Sequence, residues 1–159
     1  MQTPDQIQSE VIQGFLDAGD PLAQFEYLLT LSYRLEEMPE EERTEDVLVK
    51  GCQSQVWLYV DWPDGKMSMR GESDTLRVRG VINIFKMMFD GRSPHEVLDC
   101  PIRFVSETDL DAIFDPQRKA GVASIYETIC VSAREQLADH ARQGGCYGTE
   151  DPERATGRS

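Results

Sequence analysis

The segment VKGCQSQVW, at residues 49–57, lies between a charged run and an alternating apolar run. Glycine permits a tight main-chain turn at Gly51. The polar residues that follow Cys52, from Gln53 to Gln55, favour a loop over a core position. The β-branched and aromatic residues 56–60 then predict a strand. We therefore expect Cys52 to be presented on a loop that leads into a strand.

Two further strands are predicted, one on each side of this strand in the sequence. Residues 47–49 predict a short strand before the loop, and residues 66–71 predict a strand after a turn. The turn contains Asp64 and Gly65, and Asp-Gly between apolar runs is a strong hairpin signal. The three strands together predict a small antiparallel meander.

Helices are predicted towards both ends of the chain, from capping residues followed by apolar residues at helical spacing. The predicted helix starts are Thr3, Asp20, Asp74, Ser93, Thr108 and Asp115. This order predicts an α+β domain over residues 1–143, with a three-stranded antiparallel sheet packed with helices at both chain ends. Residues 144–159 are polar, and we expect them to form a flexible tail.

The composition restricts the class of protein and its partners. The chain has 159 residues, 40% of them hydrophobic, with a formal net charge of −13 and a sequence pI of about 4.5. Because an acidic surface repels phosphates, we expect neither nucleic-acid nor anionic-membrane binding. The first residues, MQTPD, do not resemble a secretion signal, and no apolar run approaches the ~20 residues of a membrane span. The sequence predicts a cytoplasmic protein with room for a partner that has a basic surface.

Cysteines and histidines are the candidates for metal or nucleophilic chemistry. No two cysteines have C-x-x-C spacing, and His95 and His140 lie at no metal-ligand spacing from them. A cysteine–histidine catalytic pair would require the fold to bring one of these histidines to a thiol. The glycines have no phosphate-loop context. The remaining candidate is thiol chemistry by Cys52; the other cysteines, expected to be inert, are Cys100, Cys130 and Cys146.

The reactivity of a loop thiol depends on the fraction that is thiolate. The thiolate is the nucleophile, and a nearby cation favours it. Lys50 is close to Cys52 in the sequence, and Arg118 can reach the loop from the start of the last helix. Together with Asp74, these residues are candidates for thiolate support or partner docking.

Residues 51–57 are followed along the chain by three further segments, residues 71–74, 78–91 and 116–122, and in this order they resemble the SufE family of sulfur-acceptor proteins. Residues 51–57, GCQSQVW, resemble the family's signature, and residues 71–74, GESD, are similar to its Gly-Asp-Ser-Asp. Residues 78–91 resemble the helix that follows in the family, and residues 116–122, PQRKAGV, resemble its Arg-x-Asn-Gly-Leu segment. The resemblance extends over residues 11–131.

This resemblance implies a SufE/IscU-like fold and a sulfur-relay function. Cys52 would take persulfide sulfur from a cysteine desulfurase, stimulate that enzyme and pass the sulfur to an iron–sulfur cluster scaffold. Gly51, Gln53 and Ser54 would form the supporting loop. Pyridoxal phosphate belongs to the desulfurase, so this chain would bind no cofactor and show no turnover alone.

Two alternatives stay open. One is a non-catalytic binding module that uses the acidic surface to hold a partner. The other is a relay of sulfur to tRNA modification, which would use the same loop chemistry.

Overall fold

The computed structural model describes the main chain of residues 2–147 and the side chains of residues 2–142. Of the predicted tail, residues 148–159 lie outside the described residues, and residues 144–147 continue the last helix. The described elements, in chain order, are α1 (Pro4–Ala18), α2 (Pro21–Ser32), β1 (Val56–Asp61), β2 (Ser68–Ser73), α3 (Leu76–Phe89), α4 (Pro94–Leu98), α5 (Leu110–Ile113) and α6 (Pro116–Tyr147).

Most of the helix starts follow from local capping, as predicted. Thr3 and Ser93 accept hydrogen bonds in capping boxes at the starts of α1 and α4. Asp20 caps α2, and the Asp115 carboxylate accepts from the Arg118 N–H at 2.8 Å where α6 begins. Each cap satisfies a main-chain donor that the helix leaves without an internal partner. The starts of these helices are therefore determined by residues that are close together in the sequence.

Among the described residues the sheet has two strands, so the prediction of a three-stranded meander was wrong. β1 and β2 form an antiparallel hairpin. Segment 47–49, predicted as a strand, contributes one bridge, between Leu48 and Trp57. A 3₁₀ turn occupies Glu45–Val47, and the chain turns away at Gly51. Too few extended residues remain between these two turns to build a third strand.

The predicted hairpin turn is confirmed. Asp64 has a φ of 55° and Gly65 a φ of 77°, and both lie in the left-handed region within the loop of residues 62–67 that joins β1 to β2. Met67 and Met69, which were predicted to share a face of the returning segment, are both buried. The turn residues and the alternation of buried and exposed side chains therefore predicted correctly which face of the returning strand packs on the core.

α3 is the central element of the fold. It packs against α1, α2, β2 and α6. Phe85 on α3 is fully buried, and its ring centroid lies 5.5 Å from that of Phe104 and 6.1 Å from that of Tyr126 on α6. This packing fixes α6 relative to the sheet, and α6 supplies one wall of the site described below.

A buried carboxylate joins β2 to the charged linker 36–46. Glu72 is 3% exposed and accepts hydrogen bonds from the Arg79 side chain and, at 3.3 Å, from the Met38 N–H. Arg79 also donates to the Leu35 carbonyl at 2.7 Å. Met38 is itself buried. The start of the linker is therefore fixed against the sheet, although most of its acidic side chains are exposed.

Gly80 sets the distance between α2 and α3. A Cβ at this position would lie 2.6 Å from the carbonyl oxygen of Leu28 and 2.7 Å from its Cδ1. In an open helix, alanine would be more stable than glycine by about 0.5–1 kcal/mol. Here α2 would have to move, so we expect Gly80→Ala to lower the free energy of unfolding by about 2 kcal/mol in urea denaturation. An unchanged or higher midpoint would contradict this role of Gly80.

Candidate functional site

The loop that carries Cys52 passes close to α6 because a glycine precedes the cysteine. Gly51 has a φ of +82°, and a Cβ there would lie 2.8 Å from the hydroxyl oxygen of Ser124 on α6. A side chain at this position would be strained and would also contact the helix. The turn at Gly51 therefore brings the loop against the first part of α6.

Cys52 is half-buried at the end of this turn. Its thiol donates to the carbonyl oxygen of Gly121 at an Sγ–O distance of 3.6 Å. Gly121 leaves space beside the thiol, since a Cβ there would lie 3.7 Å from Sγ. The thiol borders a cavity of about 20 Å³, room for about one water-sized group. Its apolar wall consists of Val56, Val78, Val81, Phe114, Val122 and Ile125.

The charge state of the thiol reflects this burial. Desolvation raises the pKa of Cys52 above its ordinary value. Arg118 and Arg77 also line this largely apolar cavity. Arg118 donates to the Ser54 hydroxyl, and Arg77 lies 5.9 Å from the centroid of the Phe25 ring. In this conformation burial therefore favours the protonated form of the thiol.

Residues that follow β2 hold the other end of the loop. The Asp74 carboxylate accepts from the Gln55 N–H at 3.2 Å, and the Ser73 hydroxyl donates to the Gln55 carbonyl at 2.8 Å. The Thr75 hydroxyl donates to the Ser54 hydroxyl at 3.1 Å. We call these three contacts the latch.

The prediction that Asp74 caps the next helix was wrong. The N-cap of α3 is Thr75, and it makes no side-chain capping bond. Asp74 lies opposite Gln55, one position beyond the last residue pair of the hairpin. The Asp74 carboxylate therefore accepts from the Gln55 N–H, just before β1, and is not available to cap α3.

The structure brings some of the predicted site residues together and leaves one apart. Gln53 and Ser54 line the cavity with Cys52, and so does Arg118. Lys50 is exposed and lines a separate groove beside α6. Its support of a thiolate therefore stays a prediction without a contact behind it.

Sequence reasoning did not single out Arg77 or the apolar wall of the cavity. Arg77 lies in the first turn of α3, three residues after Asp74. This short spacing in the sequence was the available signal for Arg77. Because α3 starts directly after the residues that contact the loop, its first turn must lie beside the loop. The wall comes from segments far apart in the chain, and local patterns do not reveal it.

Comparisons with known proteins identify the family. A family model described as "SufE: Fe-S metabolism associated domain" matches residues 9–133. The chain belongs to the SufE family. An uncharacterised SufE-like protein of Synechocystis sp. is 30% identical over 125 residues, which cover 79% of each chain. The solution structure of a hypothetical protein from Thermus thermophilus is similar in fold, with a TM-score of 0.69 at 20% identity, covering 87% of this chain and 99% of that chain.

The other cysteines of this SufE chain differ from Cys52 in their surroundings. Cys100 and Cys130 are both buried. Burial raises the pKa of Cys100 to about 11 and also raises the pKa of Cys130. The side chain of Cys146 lies outside the described residues. Among the cysteines whose side chains are described, Cys52 is therefore the one that reaches the surface.

Neither a metal-holding cluster nor a membrane-spanning helix is present among the described residues. No group of three or more His, Cys, Asp or Glu side chains in residues 2–142 is arranged to hold a metal ion. Within the part of the chain that the structure describes, no helix is both long enough and apolar enough to span a bilayer.

Replacing Asp74 tests whether the latch shelters the thiol. Asp74→Ala removes the acceptor of the Gln55 N–H and leaves Cys52 unchanged. Because one hydrogen bond contributes about 1 kcal/mol, we expect iodoacetamide to alkylate Cys52 about fivefold faster in the variant. Asp46→Ala, at an exposed aspartate outside the latch, is the control and should react like the wild type. Equal rates in Asp74→Ala and the wild type would contradict the latch.

Proposed function

We propose that Cys52 accepts sulfur from the persulfide of a cysteine desulfurase and delivers it to an iron–sulfur cluster scaffold. The observation that carries the proposal is the placement of Cys52, a half-buried thiol on a latched loop beside an apolar cavity. The family's association with Fe–S metabolism supports the destination of the sulfur. Removal of the persulfide frees the desulfurase cysteine for another turnover, which would stimulate that enzyme.

The transfer is a thiol exchange that needs no added oxidant. The Cys52 thiolate attacks the outer sulfur of the donor persulfide, and a new S–S bond forms on Cys52. The S–S bond of the donor breaks, and its electron pair leaves on the donor cysteine as a thiolate. The proton released by Cys52 passes to solvent or to the departing thiolate. The product is a persulfide on Cys52, ready for delivery.

The cavity supports storage of this sulfur. Its volume of about 20 Å³ is the space of roughly one water-sized group, and a single sulfur atom is of that order. The apolar wall would exclude water and small thiols from the outer sulfur. Gly121 contributes, because any side chain there would narrow the space beside the Cys52 thiol.

The latch separates storage from transfer in this proposal. With the loop folded in, burial raises the pKa of the Cys52 thiol, so little nucleophilic thiolate is present. A partner that draws the loop outward would rehydrate the thiol and return its pKa towards the ordinary value. Each latch contact contributes about 1 kcal/mol, so a docking partner can open the loop.

Reconstitution with a purified cysteine desulfurase and cysteine tests the proposal. We expect the peptide that contains Cys52 to gain one sulfur atom and the desulfurase to turn over faster. A stable complex that leaves Cys52 without sulfur would overturn the proposal and favour a binding module. Labelled sulfur, followed into either an iron–sulfur scaffold or a tRNA-thiolation acceptor, then distinguishes the two destinations.

A further inference from the structure

The two outer edges of the hairpin differ in how they are covered. On the β2 edge, the Met69 N–H donates to the Asp90 carboxylate at 2.8 Å, and the Met69 carbonyl accepts from the Lys86 ammonium at 2.5 Å. The Met67 N–H donates to the Arg92 carbonyl at 2.8 Å. The end of α3 and the turn after it therefore satisfy the outward polar groups of Met69 and also bond to Met67, just before the strand.

The β1 edge is covered over only part of its length. The Val49 N–H donates to the Val56 carbonyl at 2.8 Å, and coverage ends at the single bridge beside it. Val60 pairs with Met69, and Met69 directs its polar groups away from β1. Antiparallel pairing then directs the N–H and C=O of Val60 outward as well. Within the described residues, no other segment hydrogen-bonds to the main chain of Val60.

A groove runs along this uncovered edge, between β1 and α6. It has a volume of about 450 Å³, and its apolar wall includes Tyr59 and Val131, which are 43% and 39% exposed. A hydrogen bond of 2.9 Å from the Trp62 ring N–H to the Ser132 hydroxyl closes its far end. The uncovered stretch, residues 59–61, spans about 10 Å at 3.3 Å per residue. The groove therefore has the length of a short extended peptide segment.

The rim of the groove is acidic. Glu127 and Glu135 line it, and Asp46 and Lys50 line an adjoining groove that shares Glu127. Glu127 pairs with Arg134 at 3.2 Å, whereas Asp46 and Glu135 have no ion pair among the described side chains. A second copy of this chain, with a net charge of −13 and the same rim, would be repelled. The charges favour a basic occupant.

We propose that the β1 edge is a docking site for an extended, basic segment of a partner protein, which adds to the sheet as a third strand. Its main chain would bond to Val60, and alternate apolar side chains would enter the groove. Its lysine or arginine side chains would meet Glu135 on the rim. The site stands independently of the sulfur-transfer proposal, because no part of its geometry involves the Cys52 thiol.

Two terminally blocked hexapeptides, KVKVKV and EVEVEV, serve as probes of this site. Isotope-labelled protein is titrated with each peptide, and amide shifts are followed by NMR. We expect the lysine peptide to shift the amides of Leu58 and Val60 and those of α6 that face the groove. The glutamate peptide is expected to bind at least about tenfold more weakly, because its charges oppose those of the rim.

Variants at position 60 separate main-chain pairing from simple charge attraction. Val60→Pro removes the outward N–H and leaves the bonds to β2 in place, so the lysine peptide should bind about tenfold more weakly. Val60→Ala keeps the N–H and is the matched control, with affinity close to that of the wild type. If circular dichroism shows that Val60→Pro is unfolded, Glu135→Lys replaces it and should weaken binding of the lysine peptide while strengthening that of the glutamate peptide.

The results that overturn the proposal are equally specific. A folded Val60→Pro with unchanged affinity would exclude strand addition. Shifts that fall away from β1 and α6, or equal affinities for the two peptides, would exclude this site or its charge preference. A concentration-dependent dimer that produces the same shifts in the absence of peptide would assign the edge to a second copy of the chain.

Discussion

Cys52→Ser is expected to carry no sulfur after incubation with a cysteine desulfurase and cysteine, and to leave the desulfurase at its unstimulated rate. A serine hydroxyl is not ionised near neutral pH and forms no persulfide, so both effects should fall to background. Peptide mass mapping measures the sulfur, and alanine release measures the turnover. Because the change replaces one atom at a half-buried site, the fold and the complex should persist.

Cys130→Ser is the matched control for this prediction. It makes the same atomic change at a buried cysteine of α6. Sulfur transfer to Cys52 should be retained, with some loss of stability from the buried hydroxyl. Stimulation by Cys52→Ser equal to that of the wild type would show that the chain acts by binding alone.

Glu72→Gln is expected to lower the free energy of unfolding by about 3 kcal/mol at neutral pH. The substitution leaves the Arg79 guanidinium, whose side chain is 13% exposed, without its counter-charge in the interior. It also weakens the acceptor of the Met38 N–H, which fixes the linker to the sheet. Urea denaturation measures the change. Glu127→Gln, whose ion pair with Arg134 is exposed, is the control and should cost less than about 0.5 kcal/mol.

The pH dependence of this effect has a definite sign. Burial acts to raise the pKa of Glu72, but the hydrogen bonds from Arg79, Ser73 and Met38 outweigh it and hold the pKa below its ordinary value. A lowered pKa contributes stability that is present above the unfolded-state value of about 4.3 and is lost as the pH falls through the folded-state value. The difference between wild type and Glu72→Gln should therefore shrink below about pH 4. A difference that is constant down to acid unfolding would contradict this account.

Local sequence predicted the boundaries of several elements correctly for a common reason. Caps such as Thr3 and Asp20, and the turn at Asp64 and Gly65, act on main-chain groups within about four residues. The prediction of a third strand was wrong because strand pairing depends on residues that are distant in the sequence. The apolar residues 47–49 have strand propensity, but the turns on both sides of them allow only one bridge to β1.

The candidate site was predictable to a similar extent. The loop position of Cys52 follows from its neighbours in sequence, and the structure places Arg118 at the same cavity. Asp74 was assigned to a helix cap because its sequence context is that of a cap, whereas its donor is contributed by Gln55 across the hairpin. Arg77 went unnoticed because its approach to the cavity depends on the angle at which α3 leaves β2.

Sequence alone was enough to place a cysteine after a turn-forming glycine in a polar loop, since turns and propensities act over a few residues. What surrounds that cysteine depends on the tertiary structure. Val81 on α3 and Ile125 on α6 close the cavity from segments about 30 to 70 residues away from Cys52. The raised pKa of the Cys52 thiol and the uncovered edge of β1 are also properties of the tertiary structure. Both depend on which distant surfaces the core brings together and which it leaves uncovered.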